Sequence, residues 1–304
     1  MKILITGSLG FVGSHLAKRY HNQGHTVIGV DNGVGGYDDN LTEVQTLRID
    51  CCDQSALDQL FAKEKFELVI HAACTAYEGL SVVSPVLVTR NTFDATVNVL
   101  TASIKHKINR FAKVAAEDTV KCLCDVNGID WTIVVPHNIY GPNQVYDDPF
   151  RNVVSIFLHR NLQGKPCIIY GDGEQKRCFS YIDDTLQVFD KVCFDDSAVG
   201  EIFNIGPDED YVTINELANI TANATGYNGE HEYMPGRPKE VKYATCSSDK
   251  IRKYFNYETK ISIAEGIQNT LQFIRTRVIR KFNYSLPIEI DNEHTPTTWT
   301  KKLI

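Results

Sequence analysis

Apolar positions open the chain in a short run, Lys2-Ile-Leu-Ile-Thr6, which ends on a glycine and gives way to helical spacing from about residue 11 to 23. A second run, Thr26-Val-Ile-Gly-Val30, and a short one near Leu47-Arg-Ile-Asp50 read as strands. A helix at about 54–64 leads to the buried-type strand Glu67-Leu-Val-Ile-His71. Strands alternating with helices predict an α/β fold built on a doubly wound parallel sheet.

The alternation then falters. The periodicity predicts a helix at about 92–106, the short connection Lys107–Phe111, a second helical stretch from Lys113 to about Val126, and only then the strand Trp131-Thr-Ile-Val-Val135. Two consecutive helices leave a parallel crossover incomplete, so one interior strand is expected to be missing. Such a vacancy would expose backbone groups on two strand edges, with poor stability and aggregation as the expected result. Beyond Pro136 the pattern gives a helix at about 149–163, a strand Cys167–Tyr170, a helix at about 183–195, a strand Ile202–Ile205, and helices at about 213–225 and 262–277. The expected division is a sheet domain over 1–140, rejoined by segments at about 178–206, a smaller C-terminal α/β lobe over 141–280, and a tail over 281–304. Asn283–Ile304 has no periodicity and is expected to be loosely held.

Composition narrows the partners. With 31 basic and 38 acidic residues the formal net charge is -7, so nucleic acid is not an expected partner. No apolar run approaches membrane-spanning length and the chain enters a strand directly, so no membrane partner is expected and a cytoplasmic location is. The nine cysteines match no zinc spacing and read as reduced thiols, with no metal expected.

Gly7-Ser-Leu-Gly10-Phe11-Val12-Gly13 follows a strand and opens a helix, the setting in which absent side chains let backbone N–H groups approach a pyrophosphate. Asp31 ends the next strand, 18 residues after Gly13, where a carboxylate accepts from an adenosine ribose and repels an added 2′-phosphate, favouring NAD over NADP. Together with Asn32, Asp50-Cys51, His71-Ala72-Ala73 and Asn91, this half resembles the Rossmann cofactor domain of the extended short-chain dehydrogenase/reductase family, and the whole chain to about Ile274 resembles its nucleotide-sugar epimerases. The resemblance implies that Asp50 and Cys51 border the adenine, that Ala72 and Ala73 lie along NAD, and that Asn91 lies behind the active site.

Three further segments are similar to signatures of the same family. In Pro136-His-Asn-Ile-Tyr-Gly-Pro142 the resemblance implies that Asn138 reaches the sugar. In Ile169-Tyr-Gly-Asp-Gly-Glu-Gln-Lys-Arg-Cys-Phe-Ser-Tyr-Ile-Asp183 it implies that Arg177 binds the diphosphate, and in Pro235-Gly-Arg-Pro-Lys-Glu240 that Arg237 and Glu240 hold phosphate and ribose. A guanidinium presents parallel donors in a plane, which suits a diphosphate better than an ammonium does. The implied ligand is a nucleoside-diphosphate sugar, with UDP the expected nucleotide.

Family members carry a serine or threonine on the strand after a phrase like Arg110-Phe111, and a Tyr-x-x-x-Lys on the helix that follows. Here Phe111 runs directly into Ala112-Lys113-Val-Ala-Ala-Glu-Asp118, which resembles the helix from that lysine onward, with Asn109 in the tyrosine's place. Lys113 is thus expected as a retained ribose contact and catalytic-site lysine on a helix. Tyr77 is the one local candidate to stand in for the acid/base. Asparagine does not shuttle protons near neutral pH, and losing a positioned acid/base costs on the order of 10²–10⁴ in rate. Three readings remain open at this point: an NAD-dependent UDP-sugar 4-epimerase type of enzyme, a pseudoenzyme that keeps both pockets, and a poorly folding product of a skipped gene segment. The family resemblance also implies a homodimer through the helices at about 92–106 and 113–126.

Overall fold

Side-chain alternation across the strands sorts the first half of the chain into two cores. In the computed structural model, which describes residues 1–75, 77–114, 118–237 and 240–304, this half begins with β1 (Lys2–Thr6), α1 (Phe11–Asn22), β2 (Thr26–Asp31), β3 (Thr46–Arg48), α2 (Gln54–Glu64) and β4 (Leu68–His71). It continues through α3 (Glu78–Val83), α4 (Pro85–Thr89), a π-helical turn at Arg90–Asp94, α5 (Ala95–Lys105), β5 (Arg110–Val114), α6 (Asp118–Asn127) and β6 (Asp130–Pro136). The described residues form a seven-stranded sheet in the order β11-β6-β5-β4-β1-β2-β3, where β11 is Glu201–Ile205 and every neighbouring pair is parallel. Ile3, Ile5, Ala112, Val114 and Val134 join one core with Leu16 and Tyr20 of α1; Leu4, Val69, Phe111 and Ile133 join the other with Leu57 of α2 and Val99 of α5. This is the period-two pattern of a sheet covered on both faces.

The structure corrects the expectation of a missing strand. Arg110–Val114 is not a connection leading into a helix. It is β5, paired with β4 from Leu68↔Arg110 to His71↔Lys113 and with β6 from Arg110↔Asp130 to Val114↔Val134. Without it, β4 and β6 would each carry an unpaired inner edge, and the cost of leaving buried N–H and C=O groups unsatisfied exceeds the weak strand propensity of two basic residues. Arg110 donates from Nη2 to the carbonyl of Asp195 at 2.6 Å, and Lys113 is wholly buried. Lys113 is therefore a strand residue, not the lysine of a catalytic helix, and the predicted aggregation-prone vacancy does not exist. Ala115, Ala116 and Glu117, which the sequence reading placed in the helix, lie outside the described residues.

The second half adds helices and short ladders and returns to the sheet at β11. It runs through β7 (Ile139–Tyr140), α7 (Val153–Leu162), β8 (Ile168–Tyr170), β9 (Lys176–Arg177), β10 (Ser180–Tyr181) and α8 (Ile182–Phe194) to β11. After β11 come β12 (Val212–Thr213), α9 (Ile214–Thr225), β13 (Glu232–Met234), β14 (Tyr243–Ala244), α10 (Asp249–Phe255), α11 (Ile263–Arg275) and α12 (Thr297–Thr300). Helix α9 starts on a full capping box, with Thr213 accepting from Glu216 N and Glu216 accepting from Thr213 N. Small ladders join β7 to β10, β8 to β13, and β9 to both β12 and β14. Among the described residues no helix is long and apolar enough to cross a membrane.

The tail also departs from expectation. Trp299 and Ile304 are buried in a third apolar cluster with Tyr77, Leu80, Val83, Phe150 and Ile168, and Phe282, Tyr284, Leu286 and Ile288 pack against it. The aperiodic sequence concealed this, because a segment laid over a surface needs apolar residues only where that surface has slots for them.

Two consequences for stability can be measured. Phe111 is fully buried within β5, so Phe111→Ala is expected to cost about 3–5 kcal/mol in a denaturant titration. His71, enclosed at the end of β4, is held well below the ordinary histidine pKa by burial and then by the charge of Lys113. A histidine kept neutral in the fold takes up protons preferentially when unfolded. Its contribution is therefore complete above about pH 6.5 and declines as pH falls below it, by up to about 1.4 kcal/mol per pH unit. His71→Asn is expected to reduce that acid slope in titrations between pH 7 and 5; an unchanged slope would contradict the assignment.

Candidate functional site

The C-terminal ends of β1, β2, β4 and β6 open into a cavity of about 650 Å³, at the sheet end where parallel α/β folds hold ligands. Gly7 leaves β1 with φ +69°, and a β-carbon there would sit 2.8 Å from the backbone nitrogen of Ala73. At Gly13 the β-carbon would come within 2.0 Å of the carbonyl oxygen of Gly7. Only hydrogen fits at either point, so the loop can lie flat against the end of β4. Gly10 caps α1 without a side-chain acceptor, and the first N–H groups of the helix, from Phe11, Val12 and Gly13, stand where an anion can take them. The three glycines, Phe11 and Val12 all line the cavity.

Asp31 supports this loop from behind. Its carboxylate accepts from Leu9 N at 2.9 Å and from Gly33 N at 2.7 Å while also facing the cavity. Burial raises its pKa above the ordinary carboxylate value against the opposing pull of these hydrogen bonds. A carboxylate has about four acceptor sites, so these amides leave capacity for a further donor. Asn32 accepts from Val34 N at 3.0 Å. Asp50 accepts from Cys52 N at 2.9 Å and from Arg90 Nη2 at 3.1 Å. Burial, then the nearby Asp50 and Asp31, pushes the Cys51 thiol up to about 12, so it is neutral and serves as a wall. Ala72 and Ala73 extend from β4, with Ala73 N donating to Thr6 Oγ1 at 3.2 Å, and Asn91 enters from the π-helical turn. All six residues from Asn32 to Asn91 line the same cavity.

The other end is cationic. Arg237 grips Glu240 through Nε at 3.0 Å and Nη2 at 2.8 Å, with its guanidinium 4.7 Å from the centre of the Tyr170 ring. Arg177 on β9 brings Nη2 to within 3.7 Å of the same carboxylate. Glu240 thus holds two guanidiniums near each other, the arrangement a diphosphate requires. Asn138, at φ +40° beyond β6, donates from Nδ2 to the carbonyl of Cys178 at 2.9 Å. These four residues line the cavity too.

Two expectations fare differently. Lys113 is absent from the described residues lining the cavity, because alternation along β5 turns it to the Phe111 face while Val114 faces the cavity. Tyr77 does reach it, but its hydroxyl donates to Asp148 at 2.6 Å and its ring lies 4.5 Å from the Arg151 guanidinium. Burial raises its pKa, the direction opposite to that of a proton shuttle near neutral pH. Sequence reasoning missed Arg151, which also donates to the carbonyl of Gly35 at 2.7 Å and so ties the loop after β2 to the segment after β4. It missed Tyr170, Trp299 and Ile304 in the cavity wall as well. Tyr170 stood inside a recognised segment and was legible; Arg151 lies at the start of the stretch expected as a helix at about 149–163, where periodicity marks no site, and Trp299 and Ile304 lie where there is no periodicity at all.

Comparison with known proteins agrees with this geometry. A family model described as the NAD dependent epimerase/dehydratase family matches residues 3–112 and 110–206, and the two stretches overlap at Arg110–Ala112, where the sequence reads as shortened. The chain is similar to the UDP-N-acetyl-alpha-D-glucosaminuronate decarboxylase of Bacillus cytotoxicus, with 27% identity over 90% of this chain and 98% of that protein. It is equally similar to the UDP-glucose 4-epimerase of Mycolicibacterium smegmatis, with 27% identity over 91% and 99%. Among solved structures, the UDP-glucose 4-epimerase of Thermotoga maritima with UDP-glucose matches at a TM-score of 0.82 and 26% identity, covering 91% of this chain and 99% of that one. With its model matching well over half of the residues, and a glycine loop, the Asp31 carboxylate and paired arginines lining one cavity, the chain belongs to the NAD dependent epimerase/dehydratase family.

Proposed function

We propose that this protein holds NAD and a nucleoside-diphosphate sugar, with UDP as the nucleotide, and that it turns the sugar over slowly or not at all. The observation that carries the reading is the continuity of the cavity. The flat glycine loop and Asp31 stand at one end, and Arg177, Arg237 and Glu240 at the other. The glycine loop fits a pyrophosphate because β-carbons at Gly7 and Gly13 would collide with backbone. Bound there, NAD supplies a hydride acceptor and donor for a sugar carbon.

The chain's own residues bind and orient. Asp31 takes the adenosine ribose, Asp50 and Cys51 border the adenine, Ala72 and Ala73 with Asn91 line the cofactor's path, Asn138 faces the sugar, and the arginine pair takes the diphosphate. Among the described residues lining the cavity, no tyrosine is left uncommitted to take a proton from the sugar. From β5 to the end of α6 the sequence has neither tyrosine nor serine. Of the tyrosines among the described residues lining the cavity, Tyr77 is committed to Asp148 and Tyr170 to Thr298. The UDP-sugar enzymes among the similar proteins favour a second reading, an active epimerase or decarboxylase that uses a group outside this set. All nine cysteines are thiols, which supports a cytoplasmic location.

Three outcomes test this reading. Gly10→Val is expected to abolish NAD binding in calorimetry, and Asp31→Ala to weaken it, since hydrogen bonds to a charged group contribute about 1.5–3 kcal/mol; unchanged affinity in both would sink the cofactor assignment. Arg177→Lys or Arg237→Lys is expected to weaken UDP-glucose through loss of the planar fork, and the double alanine variant to bind neither UDP nor UDP-glucose. Incubation of the purified chain with NAD and UDP-glucose is expected to yield no appreciable UDP-galactose. Efficient exchange would establish the second reading, and Tyr77→Phe would then show whether Tyr77 is the base.

A further inference from the structure

The C-terminal segment lies outside the residues matched by the family model, which end at 206, yet it reaches the cavity. It is anchored in steps. Phe282 packs edge-on against His159 with ring centres 4.8 Å apart, and the carboxylate of Glu289 accepts from Val86 N at 2.9 Å and Leu87 N at 2.8 Å. From there α12 places Trp299 edge-on against Phe150, 5.1 Å between centres, and against Gly79, where a β-carbon would stand 2.8 Å from the indole. Its neighbour Thr298 is hydrogen-bonded to the Tyr170 hydroxyl, and Leu303 O accepts from Arg160 Nη1 at 3.1 Å. The segment therefore spans from α3 to β8, on either side of the cavity.

The position of the indole matters chemically. Trp299 and Ile304 line the cavity with Ile168 and Tyr170, and Tyr170 carries the Arg237 guanidinium on its ring. An apolar, aromatic wall thus adjoins the paired arginines, and this combination suits a nucleoside diphosphate, with phosphates on the guanidiniums and the base against the aromatic surface. The segment does not fill the space. Arg177, Arg237, Glu240 and Asn138 line the same cavity as Trp299 with the segment in place.

We infer that the C-terminal segment completes the ligand site, with Trp299 forming the wall against which the nucleobase of the diphosphate ligand lies. The inference rests on the nucleotide-sugar reading above. It gives the segment a role in recognition and makes Trp299 a determinant of base affinity.

Calorimetry on the full chain with two ligands, UDP and inorganic pyrophosphate, tests it. Trp299→Ala is expected to weaken UDP by about tenfold, the scale of one lost base–aromatic contact, and to leave pyrophosphate unchanged. Trp299→Leu keeps apolar volume in the slot beside Phe150 and guards against loss of folding; it is expected to weaken UDP without touching pyrophosphate or NAD affinity, and Trp299→Phe to recover most of the loss. Equal UDP affinity in the leucine variant overturns the role of Trp299 and leaves the nucleotide-sugar reading intact. Equal losses for UDP and pyrophosphate overturn it in favour of simple packing. Tighter UDP binding overturns it in favour of a plug. Failure of the wild-type chain to bind UDP overturns both readings.

Discussion

The structure depends on the rule that an inner strand of a parallel sheet must be paired on both edges. Between β4 and β6 that rule leaves one role for Arg110–Val114, and the segment takes it despite carrying a basic residue near each end. Because β4 and β6 are then held at the correct spacing, Ala72, Ala73 and Asn138, which follow their C-terminal ends, come to face one cavity. The two stretches matched by the family model meet within β5, at Arg110–Ala112, and the sheet is complete across that junction.

Much of this was legible along the chain. The glycine spacing and Asp31 identify the cofactor half because their requirements are local: a turn, a close approach, a carboxylate at a strand end. The arginine signatures were legible for a similar reason. The β5 strand was not, since Arg-Phe-Ala-Lys-Val has no clean alternation, and the lysine invited comparison with a helix elsewhere in the family. Its strand character comes from neighbours distant in sequence, which no local window contains. Trp299 was equally hidden, because its slot is made by Gly79, Phe150 and Ile168, residues widely separated from it and from each other.

The two ends of the cavity also differ in how they are prepared for ligands. At the glycine loop the backbone is already flat and its supporting hydrogen bonds are made, so little ordering remains to oppose binding. At the arginine end, Glu240 neutralises part of the charge it organises. A diphosphate arriving there gains two positioned guanidiniums but meets a carboxylate between them, and the ribose hydroxyls of a nucleotide offer that carboxylate donors which bare phosphate lacks.

Asp31 joins two duties that could have been separate. The carboxylate that would discriminate against a 2′-phosphate is the same one that fastens Leu9 and Gly33. On the proposed reading, cofactor preference in this chain is tied to loop architecture. A chain drifting toward the phosphorylated dinucleotide by replacing this acid would first unfasten its own glycine turn, and would need a second substitution to supply new acceptors for those two amides. The intermediate, with neither fastening nor the new preference, is the barrier that keeps such a change from being made in one step.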